Sequence, residues 1–308
     1  MGKARVALIV TVTALVLAGC VARSGGIPKG VPTAGGQLIG LDYPSIDHEL
    51  SPCSLTGPAA FEAYGTAAMP GRPDFDSCRV RVTTDQGPVF VWVGDQKFSQ
   101  MLPDDRTEIA DLGRGGRLVR LGDTCDTALT FGAGQAILAT TTPAGRESPP
   151  RDVLCGLTEG AARGMFNVLA GGRAKFWKPP ADSLANLTAC ETLSWPLVAE
   201  QLGLDHEEPT APITGHWCRW GEDNQAMLVF AVAASAADLG ATGPAETIAG
   251  RESWVVAIGA GCDVLTRNIE FEPHPDSDEF AVLAVTMPGD PCAAARTLAA
   301  DAWPNLPT

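Results

Sequence analysis

The chain has 308 residues, and its 36 acidic side chains outnumber the 22 basic ones, which gives a net charge of −14 at pH 7. This excess of negative charge opposes binding to nucleic acid and to anionic lipid headgroups, so neither is predicted as a partner. Hydrophobic residues make up 45% of the sequence, enough for real cores, and the length suits two domains better than one.

The first nineteen residues are typical of an export signal. Lys3 and Arg5 supply a basic start, and Ala7–Ala18 form an apolar run that only two threonines interrupt. The run is well short of the roughly 20 apolar residues that a membrane-spanning helix needs. It ends in the sequence Leu-Ala-Gly-Cys at Cys20, which resembles the lipobox of bacterial lipoproteins.

This resemblance implies that residues 1–19 are removed and that a lipid is attached to the thiol of Cys20. A lipobox supplies at least two acyl chains, which is what stable anchoring requires. Residues 20–44 are rich in glycine and proline, so a flexible tether is predicted. The mature chain would carry 36 acidic and 20 basic side chains and would be held at the extracytoplasmic face of the cell membrane. An ordinary secretory signal with a chance cysteine is the alternative.

The remaining eight cysteines form two sets with matching spacing. Their even number and the absence of any Cys-x-x-Cys pair favour disulfides over free thiols or zinc ligands. Successive intervals are 25, 47 and 30 positions in one set and 28, 44 and 30 in the other. The sets are Cys53, Cys78, Cys125 and Cys155, then Cys190, Cys218, Cys262 and Cys292. The spacing predicts two homologous domains in tandem.

The predicted domains cover residues 45–170 and 187–308, with a linker at 171–186. If pairing is confined to each domain, three connectivities remain. We favour first-to-second and third-to-fourth pairing, since each bridge would tie a helix to a strand end, and the other two stay open. The linker is predicted to be a solvated connector. Its basic residues stand out in an acidic chain: Arg173, Lys175 and Lys178.

Each domain is predicted to open with a short amphipathic helix and to close with an apolar one. The four helices are predicted at Thr56–Tyr64, Asp152–Leu169, Leu193–Leu202 and Asp290–Trp303. Gly65 and Gly203 are predicted to end the opening helices, and Asp152 and Asp290 to be the N-caps of the closing ones.

Alternating or β-rich runs between these helices predict the strands. In the first domain they are Cys78–Thr84, Val89–Val93, Arg117–Leu121, Thr127–Phe131 and Gln135–Thr141. In the second they are Trp217–Trp220, Met227–Ala233, Glu246–Ile258 with a bend, Asp263–Phe271 and Phe280–Met287. Strands that are close in sequence and flanked by helices predict an α+β fold, with a mostly antiparallel sheet covered by helices in each domain.

The sequence Pro-Cys-Ser-Leu at Cys53 resembles the opening of a family of actinobacterial cell-envelope lipoproteins, domain of unknown function 3558. The sequence Gly-Asp-Pro-Cys at Cys292 resembles the family's ending, where a strand is followed by Asp-Pro-Cys and a helix. The second domain departs from the opening pattern, because Ala189 precedes Cys190 in place of proline. The first domain departs from the ending pattern, because Val153 and Leu154 precede Cys155 in place of Asp-Pro. The resemblance implies a place in the cell envelope and an approximate fold, and it implies no activity or ligand.

No catalytic motif or cofactor site stands out. The sequence lacks a Gly-x-Ser-x-Gly elbow, a phosphate-binding Gly-rich loop and a His-Glu-x-x-His motif. Gly113–Gly116 is Gly-rich, but a hairpin turn is the better interpretation. No histidine recurs at the matching position of the other domain, and nothing points to a Ser–His–Asp arrangement. The four histidines are His48, His206, His216 and His274.

Two acidic segments and three tryptophans are the candidates for ligand binding. His206–Glu208 and Pro275–Glu279 could offer oxygen ligands to a divalent cation, but neither has the EF-hand pattern, so solvated turns are predicted instead of a metal site. Trp217, Trp220 and Trp254 are weak candidates for an aromatic binding surface, because tryptophans concentrated in one domain also serve to pack its core.

The preferred hypothesis is a non-enzymatic envelope lipoprotein that binds a ligand or partner on or between its two domains, because two repeats offer a cleft at their interface. One alternative is an envelope hydrolase with an unrecognised site, and another is a structural accessory protein of a membrane complex. A pocket with a histidine beside a carboxylate or serine would favour the hydrolase. A broad exposed apolar patch would favour docking to a complex.

Overall fold

The computed structural model describes residues 49–132, 134–145, 147–204, 209–221 and 224–308. It confirms the α+β class, with two antiparallel sheets of seven and six strands and a helix packed on each. The predicted signal peptide, Cys20, the tether, His48 and His206–Glu208 lie outside the described residues. No helix within the described ranges has both the length and the apolar character needed to cross a membrane.

The first sheet is built from seven strands that follow Cys53. The strands of this part of the chain are β1 (Glu49–Leu50), β2 (Thr66–Pro73), β3 (Cys78–Thr84), β4 (Gly87–Phe98), β5 (Thr107–Gly113), β6 (Gly116–Arg120), β7 (Thr127–Thr130) and β8 (Gln135–Pro143). Strands β2 to β8 form this sheet, and the short strand β1 precedes Cys53 and lies outside it. Val80 and Val82 are fully buried on alternate positions of β3, because one sheet face packs against helix α1 (Arg151–Ala170). The helix contributes Leu157 and Met165 to the same core.

The second sheet follows a short segment that connects it to α1. The elements are β9 (Phe176–Trp177), α2 (Ala189–Thr192), α3 (Trp195–Leu202), β10 (Trp217–Trp220), β11 (Ala226–Ala233), β12 (Glu246–Ile248), β13 (Arg251–Ile258), β14 (Gly261–Glu270), β15 (Asp278–Thr286) and α4 (Pro291–Ala302). Leu228, Val264 and Leu283 point from the sheet toward α4, where they meet the buried Leu298 and Trp303.

The two sheets have equivalent strand orders. The order β3-β4-β8-β7-β6-β5 in the first corresponds strand by strand to β10-β11-β15-β14-β13-β12 in the second, and β2 is an additional edge strand. Each covering helix, α1 or α4, follows β8 or its equivalent β15. This equivalence supports the interpretation of the chain as two repeats. We refer to residues 49–170 as the first unit and to residues 187–308 as the second unit.

Four disulfides have the favoured connectivity. The pairs are Cys53–Cys78, Cys125–Cys155, Cys190–Cys218 and Cys262–Cys292. In each unit one bond ties the opening segment to β3 or β10, and the other ties the covering helix to the sheet. The bonds close loops of 25 to 30 residues. Loops of this length stabilise a fold by roughly 3–4 kcal/mol each on the chain-entropy model.

The prediction for the two opening helices is confirmed in the second unit and wrong in the first. Helix α3 ends at Gly203, whose φ of 65° is the left-handed conformation that glycine adopts readily. Thr56–Tyr64 contains only a 3-10 helix at Pro58–Ala60. Gly57 is extended because it precedes a proline, so too few residues remain before Gly65 for a stable α-helix.

The predicted N-cap is confirmed for α4 and wrong for α1. The carboxylate of Asp290 accepts a hydrogen bond from the backbone N–H of Ala293 at 2.9 Å. Asp152 instead lies inside the first turn of α1, and the N-cap residue is Pro150. The fixed φ of that proline holds an extended backbone directly before the helix, so the helix starts at Arg151.

Every predicted strand is present, and four strands were missed: the short strands β1 and β9 and the edge strands β2 and β5. The predicted bend in Glu246–Ile258 is the hairpin turn between β12 and β13. Gly113–Gly116 forms the turn of the β5–β6 hairpin, as predicted. Strands β2 and β5 lie at the two edges of the first sheet, whereas β1 and β9 pair only with each other. The prolines of β2 argue against a central strand, but an edge strand tolerates them because it needs fewer backbone N–H donors.

The linker is more ordered than a solvated connector. Its strand β9 pairs with β1 of the first unit. The ring of Trp177 lies 5.2 Å from that of Phe271, and its indole N–H donates to the carboxylate of Glu272 at 2.7 Å. Leu184 is fully buried in the core of the second unit. The linker therefore contacts both units.

Candidate functional site

A cavity of about 410 Å³ lies between the two units, and we call it the inter-unit cavity. The first unit contributes the β2–β3 loop and side chains of β4 and β8, and the second unit contributes β10 and β11. Two tryptophans, one from each unit, and three carboxylates are among its lining residues: Trp92, Trp217, Asp74, Asp76 and Asp95. The site thus combines apolar walls with acidic groups.

The strand periodicity places the two tryptophans on facing surfaces. Trp92 lies in β4 between the fully buried Val91 and Val93, so it projects from the sheet face opposite α1. Trp217 of β10 and its cross-strand partner Val229 likewise line the cavity from the second sheet. The cavity therefore lies against sheet surfaces that the covering helices leave free.

The β2–β3 loop of the first unit inserts Phe75 into the core of the second unit. Phe75 is only 3% exposed, and its ring lies 5.4 Å from Phe271 and 5.1 Å from His216. A hydrogen bond from the Phe75 backbone N–H to the carboxylate of Asp74, at 2.8 Å, shapes the loop. Insertion of Phe75 places its neighbours Asp74 and Asp76 at the boundary between the units.

An ion pair joins equivalent positions of the two units. Nδ1 of His216 lies 2.6 Å from Oδ1 of Asp76. Asp76 is two residues before Cys78, and His216 is two residues before Cys218. The His216 side chain is 1% exposed, and its Nε2 faces the backbone oxygen of Ala185 at 3.4 Å. Both ring nitrogens therefore face oxygen atoms, so neither is directed into the cavity.

This arrangement does not favour His216 as a catalytic base. A general base needs an unprotonated nitrogen directed at the group whose proton it takes. Ser77 lines the cavity beside the ion pair, but neither nitrogen of His216 is free to accept its proton. The predicted candidate His274 makes a local contact within its own turn, with Nδ1 3.2 Å from Oγ of Ser277.

Burial perturbs two of the three carboxylates. Burial raises the pKa of Asp74 to about 6, although the Phe75 N–H that it accepts opposes the shift. Burial also raises the pKa of Asp95, and the Lys97 ammonium at 3.2 Å opposes that shift. Asp76 has His216 as its partner, whereas Asp74 forms no salt bridge with any described residue. Asp74 has no salt bridge of its own, although the nearby His216 attracts its charge and Asp76 repels it.

Arginines stack on the tryptophans of the cavity at equivalent positions of the two units. Arg79 and Arg219 each follow the second cysteine of their unit. The guanidinium of Arg219 lies 4.4 Å from the ring centre of Trp217, and that of Arg79 lies 5.3 Å from Trp92 and 4.9 Å from Phe90. Cation–π contacts of this kind hold the indoles in defined orientations.

A neighbouring cavity of about 340 Å³ lies on the other side of Asp74. It shares Asp74 and Trp92 with the inter-unit cavity and adds Arg72, Arg79 and Asp238. Asp74 is therefore accessible from two directions along the boundary between the units.

The three predicted tryptophans have different environments. Trp217 lines the inter-unit cavity. Trp220 is fully buried in the core of the second unit, so it serves packing rather than binding. Trp254 is half-buried on β13 and lines neither cavity. The eight paired cysteines are structural.

The acidic segment Pro275–Glu279 is only partly solvated, because Glu279 is fully buried. Its carboxylate accepts hydrogen bonds from the Ser183 hydroxyl at 2.6 Å, the Leu184 N–H at 2.8 Å and the Asn268 amide at 3.1 Å. Burial raises the pKa of this carboxyl group, and these three donors oppose the shift. Glu279 therefore fixes the linker to the second unit. Within the described ranges, no group of three or more His, Cys, Asp or Glu side chains is placed to hold a metal ion.

Asp74, Asp76, Trp92 and Asp95 are not among the site residues that the sequence predicts. None belongs to a recognisable motif, and three of them are ordinary acidic residues in an acidic chain. One signal was available: Asp76 and His216 have the same offset from the second cysteine of their sets. An acidic side chain at this position of one unit and a basic one at the same position of the other can pair when the two positions face each other.

Comparisons with known proteins add little to this description. No family model matches the sequence, and no curated protein matches it. Among solved structures, DynU16, a protein of the dynemicin biosynthetic locus, is similar over 83% of this chain and 93% of its own, with 13% identity and a TM-score of 0.15. A similarity at this level indicates neither a fold relationship nor a function.

Proposed function

We propose that this protein is a lipid-anchored lipoprotein of the cell envelope that binds a small cationic organic molecule in the inter-unit cavity. The observation that carries the proposal is Asp74, a carboxylate of the cavity wall with no salt bridge to any described residue. The other carboxylates already have basic partners, because Asp76 contacts His216 and Asp95 pairs with Lys97. A ligand with one positive charge would give Asp74 the salt-bridge partner that it lacks.

The surroundings of Asp74 favour an organic amine over a bare ion. Ionised Asp74 loses hydration in the cavity, and a ligand cation would restore favourable interactions there. Trp92 and Trp217 offer aromatic surfaces for the apolar part of such a ligand and for its charge. A volume of about 410 Å³ is in the range of small-molecule sites. The net negative charge of the chain attracts cations from solution.

Binding fits the cavity better than either alternative function does. A hydrolase would need a free base, and both nitrogens of His216 face acceptors. Docking to a membrane complex would need a broad apolar patch. Among the described residues, the exposed large hydrophobic side chains are Tyr64 in the first unit and Ile258 in the second. These two are separate and form no such patch.

The cellular location rests on the N-terminal sequence and on the disulfides. Four cysteine pairs support an oxidising compartment outside the cytoplasm, because intracellular thiols are kept reduced. Replacing Cys20 tests the anchor directly. We expect the Cys20→Ser variant to move from the membrane fraction to the soluble fraction when cells are fractionated. Unchanged retention of this variant in membranes would contradict the lipid anchor.

The ligand proposal is tested by calorimetric titration of the purified protein with benzylamine, with the uncharged benzyl alcohol as the matched probe. We expect saturable binding of the amine at pH 7.5 and at least tenfold weaker binding of the alcohol. Binding of the amine should weaken at pH 5, because Asp74 is then largely protonated. Asp74→Asn should weaken binding at pH 7.5 by at least tenfold, by removing the negative charge.

Asp276→Asn is the matched control, since Asp276 is an exposed aspartate outside the cavity. Its affinity for benzylamine should equal that of the unchanged protein. Equal binding of the amine and the alcohol, or equal binding by the Asp74→Asn and Asp276→Asn variants, would show that the cavity does not select a cation through Asp74.

A further inference from the structure

We propose that the first unit carries a second ligand site, a pocket between α1 and residues 54–60 that binds the phosphate group of a phosphate ester. The pocket has a volume of about 490 Å³. It shares no lining residue with the inter-unit cavity. The proposal is therefore independent of the amine site, and either can fail without the other.

Two glycines of α1 bring the opposite wall close to the helix. A side chain at Gly160 would collide with the backbone oxygen of Ala60. A Cβ atom at Gly164 would lie 2.9 Å from the Cβ of Ala60 and 3.0 Å from the hydroxyl of Thr56. The absence of side chains at these two positions lets residues 54–60 pack directly on the helix, which leaves a pocket bounded by fixed backbone.

Thr56 provides an unsatisfied polar group in the pocket wall. Thr56 is only 6% exposed, and its hydroxyl has no hydrogen-bond partner among the described residues. A buried hydroxyl without a partner is uncommon, because burial removes its hydrogen bonds to water. A ligand oxygen in the pocket would accept this hydrogen bond. The hydroxyl of Ser54 is a second polar group in the lining.

The charge of the pocket is opposite to that of the whole chain. Arg163 and Arg173 line it, and none of its lining residues is acidic. Arg163 is paired with Glu159, which accepts hydrogen bonds from its Nε and, at 2.7 Å, from its Nη2. Its Nη1 has no partner among the described residues. Arg173 has no acidic partner within the described ranges and uses only Nη2, which donates to the backbone oxygen of Asn167 at 3.1 Å. Free guanidinium donors therefore remain at the rim.

Guanidinium groups, an amide and a hydroxyl together are suited to a phosphate oxyanion. Arginine donates paired hydrogen bonds to phosphate oxygens, and the neutral donors fix their orientation. The Asn167 side chain also lines the pocket. Ala59 and Val168 add apolar walls, and the volume exceeds what a phosphate ion alone would fill. These walls suit the organic part of a phosphate ester.

Such an ester could be a free metabolite or a phospholipid headgroup. The net negative charge of the chain disfavours approach to an anionic membrane, which favours the free ester. The position of the pocket favours the headgroup, because Ser54 contacts Lys175 beside the β1–β9 pair where the predicted tether joins the fold. The shared chemistry is the phosphate group, and the experiment distinguishes its sources.

The test is calorimetric titration of the mature chain carrying Cys20→Ser with inorganic phosphate and with glycerol phosphate. We expect saturable binding with one site per chain, and tighter binding of the ester than of the ion. Arg173→Ala and Thr56→Val should each weaken binding at least tenfold. Thr56→Ser should restore it, because serine keeps the hydroxyl that valine lacks. Near-ultraviolet circular dichroism of each variant verifies that the fold is retained.

Arg117→Ala is the matched control, since Arg117 is an exposed, carboxylate-paired arginine outside the pocket. It should bind glycerol phosphate as the unchanged protein does. Co-flotation with vesicles of phosphatidylglycerol, compared with phosphatidylcholine alone, tests the headgroup. Flotation that is lost in Arg173→Ala would assign the site to a lipid, and binding of glycerol phosphate without flotation would assign it to a free ester. No saturable binding to either, or equal loss in Arg117→Ala, would overturn the proposal.

Discussion

Asp74 lies in the inter-unit cavity without a salt bridge to any described residue, and burial raises its pKa from 3.8 to about 6. The folded chain therefore binds this proton more tightly than the unfolded chain does. Stability contributed by the protonated group is present below about pH 4 and is lost as the pH rises to about 6 and beyond. A shift of this size corresponds to roughly 2–3 kcal/mol.

Asp74→Asn should therefore stabilise the protein at high pH. Asparagine keeps the oxygen that accepts the Phe75 N–H but carries no charge, so the variant avoids the cost of a buried carboxylate. We expect its free energy of unfolding to exceed that of the unchanged protein by about 1–3 kcal/mol at pH 8 and to match it near pH 4. Urea denaturation at the two pH values measures the difference. A difference that does not vary with pH would contradict this account, and Asp276→Asn should show no difference at either pH.

The covering helices of the two units begin in different ways, although the sequences before them both contain an aspartate. Asp290 caps α4 through the N–H of Ala293, whereas Asp152 lies within α1 after Pro150. Removal of an N-cap side chain costs about 1 kcal/mol. An exposed acidic residue in the first turn contributes roughly 0.5 kcal/mol through the helix dipole.

We therefore expect Asp290→Ala to lower the free energy of unfolding about twice as much as Asp152→Ala. The comparison is internal, because both residues lie at the start of a covering helix and both changes remove one carboxylate. Chemical denaturation of the two variants at pH 7 provides the measurement. Equal losses would mean that the hydrogen bond to the Ala293 N–H adds nothing beyond the charge of Asp290.

Element boundaries show how tertiary context modifies local preference. The Thr56–Tyr64 segment has the apolar pattern of a helix, yet the Gly57-Pro58 sequence and the close approach of α1 leave only a 3-10 helix. Strand β2 contains two prolines and is accommodated at a sheet edge. In both cases the neighbouring element decides the conformation of a segment with weak or conflicting preferences.

At the scale of the whole molecule, Phe75 is the main apolar contact that the β2–β3 loop makes with the second unit. It is 3% exposed and packs on Phe271 and His216. Truncation of a buried phenylalanine typically costs about 3–5 kcal/mol. The loop also positions Asp74 and Asp76, so its loss should open the inter-unit cavity.

Phe75→Ala should destabilise the second unit by about 3 kcal/mol and increase hydrogen exchange in the β2–β3 loop and in β10. Exchange in the distant β6–β7 hairpin should be unchanged. Hydrogen exchange with mass spectrometry measures these regions separately. Phe75→Leu is the control, because it keeps most of the apolar volume and should show a much smaller increase. Unchanged exchange in β10 of the Phe75→Ala variant would mean that the loop does not hold the units together.

The cysteine spacing and the apolar periodicity together determined most of the fold. The regular intervals divided the cysteines into two sets and left three pairings open in each, and the favoured pairing, which joins segments near in the chain, is the one present. Central strands such as β3 were predicted because alternation of buried residues is a local property of the sequence. The export signal and Cys20 remain predictions from the sequence.

Only the tertiary structure decided where the candidate sites lie. Asp76 and His216 are 140 residues apart, and beyond their equal offsets from Cys78 and Cys218 no sequence pattern indicates that they meet. The free sheet faces carry Trp92 and Trp217, and contacts between the units, among them the insertion of Phe75 into the second unit, bring these faces together around Asp74. Sequence periodicity reports which face of an element is buried, whereas the position of one unit against the other depends on contacts between residues that are distant in the chain.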